Sequence, residues 1–424
     1  MSMSVHNSGQ VLGADIQDLH YVFFTVGDGH YAQADYKKAV AAGGAVWTAL
    51  QQFYADALTD PAGMLFFQDN LGFMYNWGEN VKADAPLDWG QLRANMMAAL
   101  TAGDFTKIIP SYPYDRCLAD DGTLAIVSYP LIHGSLELEG LTRNYYYYVP
   151  SSYDGKSPVP LVLSFHGINS SGNGQQSLTK LDALAEKEGF IMVYPDGQPL
   201  PEGAGILQSE NMLVGYQGMW NFLEEGINDM EFISALIDKL AGTDSASGDF
   251  NIDRKRVYAT GMSNGSIFSH KLAIELSDKI AAAVCVTGPM CILSQAKTPK
   301  RPITIIQASG NGDPILDWNG TEAYGTVSVD KTIAWWNQMN KTNPDPEIKE
   351  YPQTVADDTT KVTKYTYGNG LNDTKVILYK IDEMGHTWPM GPQYLPIPLI
   401  GKVCHQFNLN EAIWEDIKDI RIPD

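Results

Sequence analysis

A five-residue motif, Gly261-Met262-Ser263-Asn264-Gly265, places a serine between two glycines at the junction of a predicted strand and a predicted helix. The small flanking residues let the backbone turn sharply, so the serine hydroxyl is lifted clear of the sheet. The serine also lies at a helix N-terminus, where the helix dipole favours negative charge. The motif alone is common, but the strand before it and the helix after it predict that Ser263 is a nucleophile.

A serine hydroxyl needs a general base near neutral pH, and His386 is the histidine best placed to be that base. Where a serine lies on such a turn, the acid and then the base follow it along the chain. Three histidines follow Ser263. His270 falls inside the helix after the motif, and His405 lies at the entrance to the last helix. His386 follows a predicted strand, at the end where catalytic groups gather in open sheets.

The base needs a carboxylate to orient it, and this acid should follow a strand between Ser263 and His386. The predicted strand 303–307 leads into a glycine-rich loop in which Asp313 is the first carboxylate. Asp317 is the alternative, four residues further on in a more apolar stretch. Asp313 is therefore the predicted acid.

Ester hydrolysis builds negative charge on a carbonyl oxygen, and backbone N–H groups can stabilise that charge. The N–H of Asn264, directly after the nucleophile, is the first predicted donor. The loop that begins at His166-Gly167 follows an early strand and is rich in small residues, so Ile168 is the predicted second donor. His166 precedes the serine, and we expect it to hold this loop and not to act as the base.

Positioning these groups requires alternating strands and helices, and the chain shows such alternation after residue 140. Several predicted strands are continuous apolar runs, as expected where both faces of a sheet are covered. The predicted strands are Asn144–Val149, Leu161–Phe165, Phe190–Tyr194, Val257–Thr260, Ala282–Val286, Ile303–Gln307 and Val376–Ile381. The predicted helices are 177–188, 228–240, 264–277, 330–340 and 409–420. The expected fold class is α/β, with a mostly parallel sheet flanked by helices.

The first part of the chain has a different character. Apolar residues recur at helical spacing around 35–58 and 86–101, which predicts a mainly helical extension over residues 1–120. Residues 121–424 then form the predicted catalytic domain. The extension is expected to be a lid, an accessory module or an oligomerisation element, and its sequence shows no catalytic spacing.

Composition narrows the function classes. The 424 residues are 44% hydrophobic and carry a formal net charge of −21, from 50 acidic and 29 basic side chains. Such a charge disfavours binding to nucleic acid or to anionic membranes, since both need basic surfaces. No apolar run reaches the roughly 18 residues of a membrane span. The four cysteines form no C-x-x-C pair, so we expect neither a zinc site nor a redox site, although Cys285 and Cys291 are close enough to form a disulfide.

These residues resemble a known family, the polyhydroxybutyrate depolymerases and feruloyl or acetylxylan esterases of the α/β-hydrolase superfamily. The resemblance covers about residues 125–424 in the right order. The motifs that carry it, besides the serine motif, are Leu141–Tyr145, His166-Gly167, Tyr194–Gly197, Trp220-Asn221, Ile227–Ile233, Asp253–Tyr258, Asp313-Pro314, Gly385–Pro389 and Ile413-Trp414. Three positions depart from the usual pattern, at Ser266, Ser309 and Trp318. Because of these departures, the motifs do not define the pockets for the acyl and alcohol parts of the substrate.

The resemblance implies an α/β-hydrolase fold and a triad of Ser263, Asp313 and His386 that works without a metal or other cofactor. It also implies an extracellular enzyme, although the first residues lack a signal peptide and a cytoplasmic location stays open. We expect a polymeric or bulky ester substrate, a polyester such as poly(3-hydroxybutyrate) first and a plant cell-wall feruloyl or acetyl ester second. An inactive binding protein on the same fold is the alternative of another class. Trp388 and Trp220 are candidate substrate contacts, with core packing as the alternative for both.

Overall fold

A computed structural model describes residues 114–118, 124–128, 131–168, 170–198, 218–223, 226–242, 248–356, 358–392 and 397–423. The predicted helices around 35–58 and 86–101 lie outside these residues. Two short strands, β1 (Tyr114–Leu118) and β2 (Leu124–Ser128), pair antiparallel. The described residues from 131 onward belong to a separate compact unit, which carries all of the candidate site residues. The predicted domain boundary at residue 120 stays a prediction.

In the described residues, one large sheet contains ten strands. They are β3 (Ile132–Leu138), β4 (Leu141–Tyr148), β5 (Val159–Phe165), β6 (Ile191–Pro195), β7 (Ile252–Met262), β8 (Ala282–Val286), β9 (Thr304–Gly310), β10 (Glu347–Glu350), β11 (Lys361–Tyr367) and β12 (Val376–Asp382). Their order across the sheet is β10-β11-β12-β9-β8-β7-β5-β6-β4-β3. All seven predicted strands are present: Ala282–Val286 has the predicted bounds, and the other six are shifted at one or both ends.

The middle of the sheet is parallel and its two edges are antiparallel. Strands β12, β9, β8, β7, β5 and β6 run side by side in one direction. The antiparallel pairs are β10–β11, β11–β12, β3–β4 and β4–β6. Because parallel neighbours end at the same edge, the residues that follow β5, β7, β9 and β12 come together there. This edge is where the sequence places the candidate catalytic groups.

Helices lie between the strands along the chain and also follow the last strand. They are α1 (Gly172–Thr179), α2 (Leu181–Glu188), α3 (Asp229–Ala241), α4 (Asn264–Glu275), α5 (Val329–Asn340), α6 (Ile397–Ile400) and α7 (Leu409–Ile417). The predicted helix at 177–188 is in fact two helices, because Lys180 adopts a left-handed backbone with φ 51° and ends α1. The other four predicted helices are confirmed within a few residues.

The apolar strands predicted from the sequence are buried in the core of the protein. Strand β8 is buried along its whole length, and β9 is too. Side chains from β5, α3 and α4 meet in the same core cluster, among them Leu161, Phe232 and Leu272. Burying one such side chain contributes roughly 1.5–3 kcal/mol. The strand order, with the serine turn directly after β7, is that of the α/β-hydrolase fold, as predicted.

Two further sequence observations can be compared with the structure. Cys285 and Cys404 carry free, buried thiols, so no disulfide joins Cys285 to Cys291. Within the part of the chain that the structure describes, no helix is long and apolar enough to cross a membrane.

Candidate active site

Ser263 lies on a strained turn between β7 and α4. Its backbone has φ 58° and ψ −120°, a conformation that costs a non-glycine residue about 1–3 kcal/mol and that persists only where the surroundings hold it. The Ser263 N–H donates to the carbonyl of Val286 at 3.0 Å. A Cβ at Gly265 would lie 2.1 Å from the carbonyl oxygen of Phe165, so only glycine permits this close packing. The Ser263 hydroxyl accepts no capping bond from α4, as expected of a side chain kept for chemistry.

Asp313 lies in the loop that follows β9, and both of its carboxylate oxygens have defined partners. Oδ1 accepts the N–H groups of Ile315 at 2.8 Å and Leu316 at 2.9 Å. Oδ2 lies 2.7 Å from Nδ1 of His386. The backbone bonds therefore fix the carboxylate and leave one oxygen directed at the imidazole.

His386 lies in the loop after β12 and is almost fully buried. The N–H of the preceding Gly385 donates to the carbonyl of Lys402, which pins this loop to the segment before α7. Because Nδ1 faces Asp313, Nε2 is the imidazole nitrogen that we expect to transfer the proton. The structure thus brings Asp313 and His386 together at the sheet edge where Ser263 also lies.

The competing residues have other surroundings. Asp317 is exposed, and its carboxylate accepts the N–H of Asn319 at 2.7 Å. His270 is buried in α4, where Nδ1 accepts from Nε1 of Trp336 at 3.1 Å and Nε2 faces Oε1 of Gln307 at 2.8 Å. The pKa of His270 is lowered by burial to about 4. His405 lies in the segment before α7, where its N–H donates to Asp358.

The two candidate oxyanion donors lie on neighbouring segments. Asn264 is the first residue of α4, so its N–H is one of those left unpaired at a helix start. A methyl group at Gly167 would lie 3.4 Å from Cβ and 3.9 Å from Oγ of Ser263, which places the loop with Ile168 beside the serine. His166 is buried, and burial lowers its pKa to about 4. It is therefore neutral near pH 7, in keeping with the structural role expected of it.

Trp220 and Trp388 are both buried, which favours their packing role over the predicted substrate contact. The Trp220 ring stacks on Phe268 with centroids 5.0 Å apart and belongs to the main core cluster. Trp388 donates from Nε1 to Oδ1 of Asn410 at 2.9 Å. Apolar residues beside a catalytic loop are often core, and for these two indoles the sequence pattern could not separate the two roles.

The side chains at the three positions that depart from the family pattern each make a hydrogen bond within the fold. Ser266, in the first turn of α4, donates to the carbonyl of Gly288 at 2.6 Å. Ser309 accepts from Nε2 of Gln307 at 2.8 Å at the end of β9. Trp318 donates from Nε1 to Asp330 at 3.1 Å.

The sequence analysis assigns no catalytic role to Asp196, a further carboxylate at this edge of the sheet. Asp196 follows β6, and its Oδ1 accepts the N–H of Gly172 at the start of α1, at 2.7 Å. Burial raises the pKa of Asp196 to about 6. It fastens the far end of the loop that carries Ile168, so its visible role is to hold that loop. Among the residues that the structure covers, no group of three or more His, Cys, Asp or Glu side chains is arranged to hold a metal ion.

Comparison with known proteins agrees with this chemistry. The chain is 29% identical over 249 residues to a bifunctional acetylxylan esterase/xylanase from Neocallimastix patriciarum, covering 59% of this chain and 31% of that protein. It is 27% identical to feruloyl esterase B from Piromyces equi, covering 40% of this chain and 29% of that protein. It is 25% identical to poly(3-hydroxyalkanoate) depolymerase C from Paucimonas lemoignei, covering 58% of each.

The chain therefore spans less than two thirds of the length of each of these relatives. No family model matches it. The relatives carry the same names as the group that the sequence motifs resemble, and the resemblance is confirmed.

Proposed function

We propose that this relative of acetylxylan esterases, feruloyl esterases and a polyhydroxyalkanoate depolymerase is a serine hydrolase of carboxylic esters. The observation that carries the proposal is the buried hydrogen bond between His386 and Asp313, at the sheet edge where Ser263 lies on a strained turn. A fixed carboxylate, an oriented imidazole and a hydroxyl with no structural bond to its helix are the parts that acyl transfer needs.

The reaction follows from these parts. Ser263 Oγ attacks the ester carbonyl while Nε2 of His386 takes its proton, and Asp313 stabilises the imidazolium that forms. The N–H groups of Asn264 and Ile168 bind the oxygen of the tetrahedral intermediate. The alcohol leaves with the proton from His386, and an acyl group remains on Ser263. Water then attacks this acyl group with His386 as base, which releases the acid and restores the enzyme.

The surroundings of the acid loop support an ester with a bulky apolar part. Leu316, Ile267 and Cys291 belong to a small apolar cluster between the acid loop, α4 and the segment after β8. A short helix that follows this cluster, Ile292–Ala296, exposes Ile292 by 57% and Leu293 by 48%. Apolar side chains next to a site favour ligands that are themselves apolar.

Two substrate classes fit such a surface, a polyester chain such as poly(3-hydroxybutyrate) and a feruloyl ester of plant cell walls. The polyester is the first candidate. An extracellular location, which the family resemblance implies, is part of the proposal. Initial rates on polyhydroxybutyrate film, methyl ferulate and acetylated xylan, measured with one enzyme preparation, separate the candidates.

A single variant tests the reaction itself. We expect Ser263→Ala to lower turnover of p-nitrophenyl acetate by several orders of magnitude, because the members of such a triad act as a unit. Its circular dichroism should match the wild type. A fluorophosphonate should label the wild type at Ser263 and leave Ser263→Ala unlabelled. An inactive binding protein would show neither hydrolysis nor labelling in the wild type, and that result would overturn the proposal.

A further inference from the structure

The two candidate oxyanion donors are held by one shared support. This support, called here the backbone bridge, is the antiparallel pairing of Gln198 with Met219, in which the Met219 N–H donates to the Gln198 carbonyl at 3.3 Å. Gly197 and Trp220 flank the pairing. Trp220 bonds to Asn264, and Gly197 bonds to His166, at the start of the loop that carries Ile168.

The side chain of Asn264 binds the first neighbour. Its Oδ1 accepts the N–H of Trp220 at 2.6 Å, and its Nδ2 donates to the Trp220 carbonyl at 3.1 Å. Asn264 is buried, so both bonds are shielded from water and each is costly to lose. The carboxamide therefore fastens the first residue of α4, whose N–H is the predicted first oxyanion donor, to the backbone bridge.

His166 binds the second neighbour. Its Nε2 accepts the N–H of Gly197 at 2.9 Å, and its Nδ1 faces the carbonyl of Gly167 at 2.6 Å. Gly197 itself packs tightly on the bridge, since a Cβ there would lie 2.5 Å from the Met219 carbonyl oxygen. The loop that carries Ile168 is thus fastened to the same support as Asn264.

We propose that the Asn264 carboxamide is a positioning group for the oxyanion hole, which acts with His166 through the backbone bridge to set the separation of the Asn264 and Ile168 N–H groups. The role belongs to the side chain and is additional to the backbone donor. It rests on the proposed ester hydrolysis. A misplacement of about 1 Å in a catalytic group can cost about 10²-fold in rate, so a support of this kind has a measurable effect.

The chain offers a matched control far from the site. Asn340 makes the same reciprocal pair with Ile303, accepting its N–H at 3.1 Å and donating to its carbonyl at 2.7 Å. Ile303 lies just before β9, at the end of the strand opposite to Asp313. Asn340→Ala therefore removes the same two bonds without touching the catalytic edge.

The experiment compares Asn264→Ala with Asn340→Ala at a temperature where both are folded by circular dichroism. Asn264→Ala keeps its backbone N–H and loses only the carboxamide. We expect its kcat for p-nitrophenyl acetate to fall by about 10–100-fold with KM within about threefold, since the loss of one whole donor typically costs about 10²–10³. The affinity for a boronic acid inhibitor should fall by a similar factor. Asn340→Ala should lose thermal stability and keep kcat within about twofold.

His166→Asn removes the other attachment of the backbone bridge, the bond between His166 and Gly197. This variant tests the positioning role if Asn264→Ala does not fold. Asparagine can still donate to the Gly167 carbonyl but is too short to accept from Gly197. We expect kcat to fall again, and we expect the double variant to lose less than the two single losses combined, because both act through one support.

The outcomes separate this proposal from the one on which it rests. If the wild type hydrolyses no ester, or Ser263→Ala remains active, the proposed function fails. If the wild type is active, Ser263→Ala is inactive, and folded Asn264→Ala or His166→Asn has wild-type kcat, the positioning role alone is overturned. An equal loss of kcat in Asn340→Ala would also overturn it, since the effect would then be one of general stability.

Discussion

Nδ1 of His386 lies 2.7 Å from Oδ2 of Asp313, while the N–H groups of Ile315 and Leu316 occupy the other oxygen of that carboxylate. The carboxylate therefore cannot rotate away from the imidazole without losing two backbone bonds. A carboxylate accepts and does not donate, so His386 must carry its proton on Nδ1. This leaves the lone pair on Nε2, as a general base requires.

Asp313→Asn should lower kcat by about 10³–10⁴-fold with little effect on KM. An asparagine can keep one oxygen for the Ile315 and Leu316 N–H groups, and its NH₂ then faces Nδ1 and favours the wrong tautomer of His386. The measurement is steady-state hydrolysis of p-nitrophenyl acetate. Asp317→Asn is the matched control and should keep nearly full activity, because that carboxylate is exposed and serves a local turn. A large loss in Asp317→Asn with none in Asp313→Asn would move the acid to Asp317.

The buried histidine of α4 should make the protein less stable in acid. Burial lowers the pKa of His270 in the folded state to about 4, while the unfolded value is about 6.5. Between these values the unfolded state binds more protons, so the free energy of unfolding falls as pH falls from about 6.5 towards 4. One such group contributes a slope of at most about 1.4 kcal/mol per pH unit.

Urea unfolding of wild type and His270→Gln between pH 4 and 7 measures this slope. The variant should show a shallower dependence on pH, whatever its stability at pH 7. His166 has the same buried neutral state and should keep part of the slope in the variant. Two parallel curves would mean that His270 is not responsible for the acid instability.

Asp196 should have the opposite effect on stability. Burial raises its pKa in the folded state to about 6, above the ordinary aspartate value of 3.8. The folded state then binds more protons between these values, so the contribution of Asp196 to the free energy of unfolding falls as pH rises from about 4 to about 6.

Asp196→Asn keeps an oxygen for the Gly172 N–H and removes the charge. We expect the variant to gain stability relative to the wild type across that pH range, by about 3 kcal/mol at most, and to hold a constant advantage above it. Thermal unfolding of both proteins in a pH series measures the difference. A difference that does not vary with pH would show that the pKa of Asp196 is the same in the folded and unfolded states, and it would contradict the prediction.

The sequence predicts the central fold and the strained serine turn because both depend on local patterns. The apolar runs of β8 and β9 are long enough to be recognised as buried strands, and the glycines around Ser263 mark the turn. A strand without an apolar pattern cannot be predicted in this way. The edge strand β10 is exposed along its length and has no apolar face, so the sequence does not predict it. The first five residues of helix α1 also escape prediction because the sequence of α1, GNGQQSLT, is polar and begins with Gly-Asn-Gly.

The support of the candidate site could not be predicted from local pattern. Asn264 and Trp220 lie 44 residues apart, and nothing in either local sequence indicates that a carboxamide pairs with that backbone. Trp220 shows the converse difficulty, because an aromatic residue near a catalytic loop fits a substrate contact and core packing equally well in sequence. Only the burial of its ring favours packing.

The exposed apolar pair Ile292 and Leu293 should matter for bulky esters and not for small ones. We expect the double variant Ile292→Ser/Leu293→Ser to lower kcat/KM for methyl ferulate, or the rate of film hydrolysis, by about tenfold, since each buried apolar side chain contributes about 1.5–3 kcal/mol and a partly covered one less. Hydrolysis of p-nitrophenyl acetate should change less than about twofold, because its acyl group is too small to reach this surface.

Ile348→Ser is the matched control. Ile348 is exposed by 59% on the edge strand β10, which lies three strands away from β9 across the sheet. The loss of one exposed isoleucine there should leave both rates unchanged. If the double variant slows the small ester as much as the bulky one, the pair acts on the catalytic groups through the cluster beneath it. Unchanged rates on every substrate would remove this surface from the substrate site and weaken the case for an apolar ester.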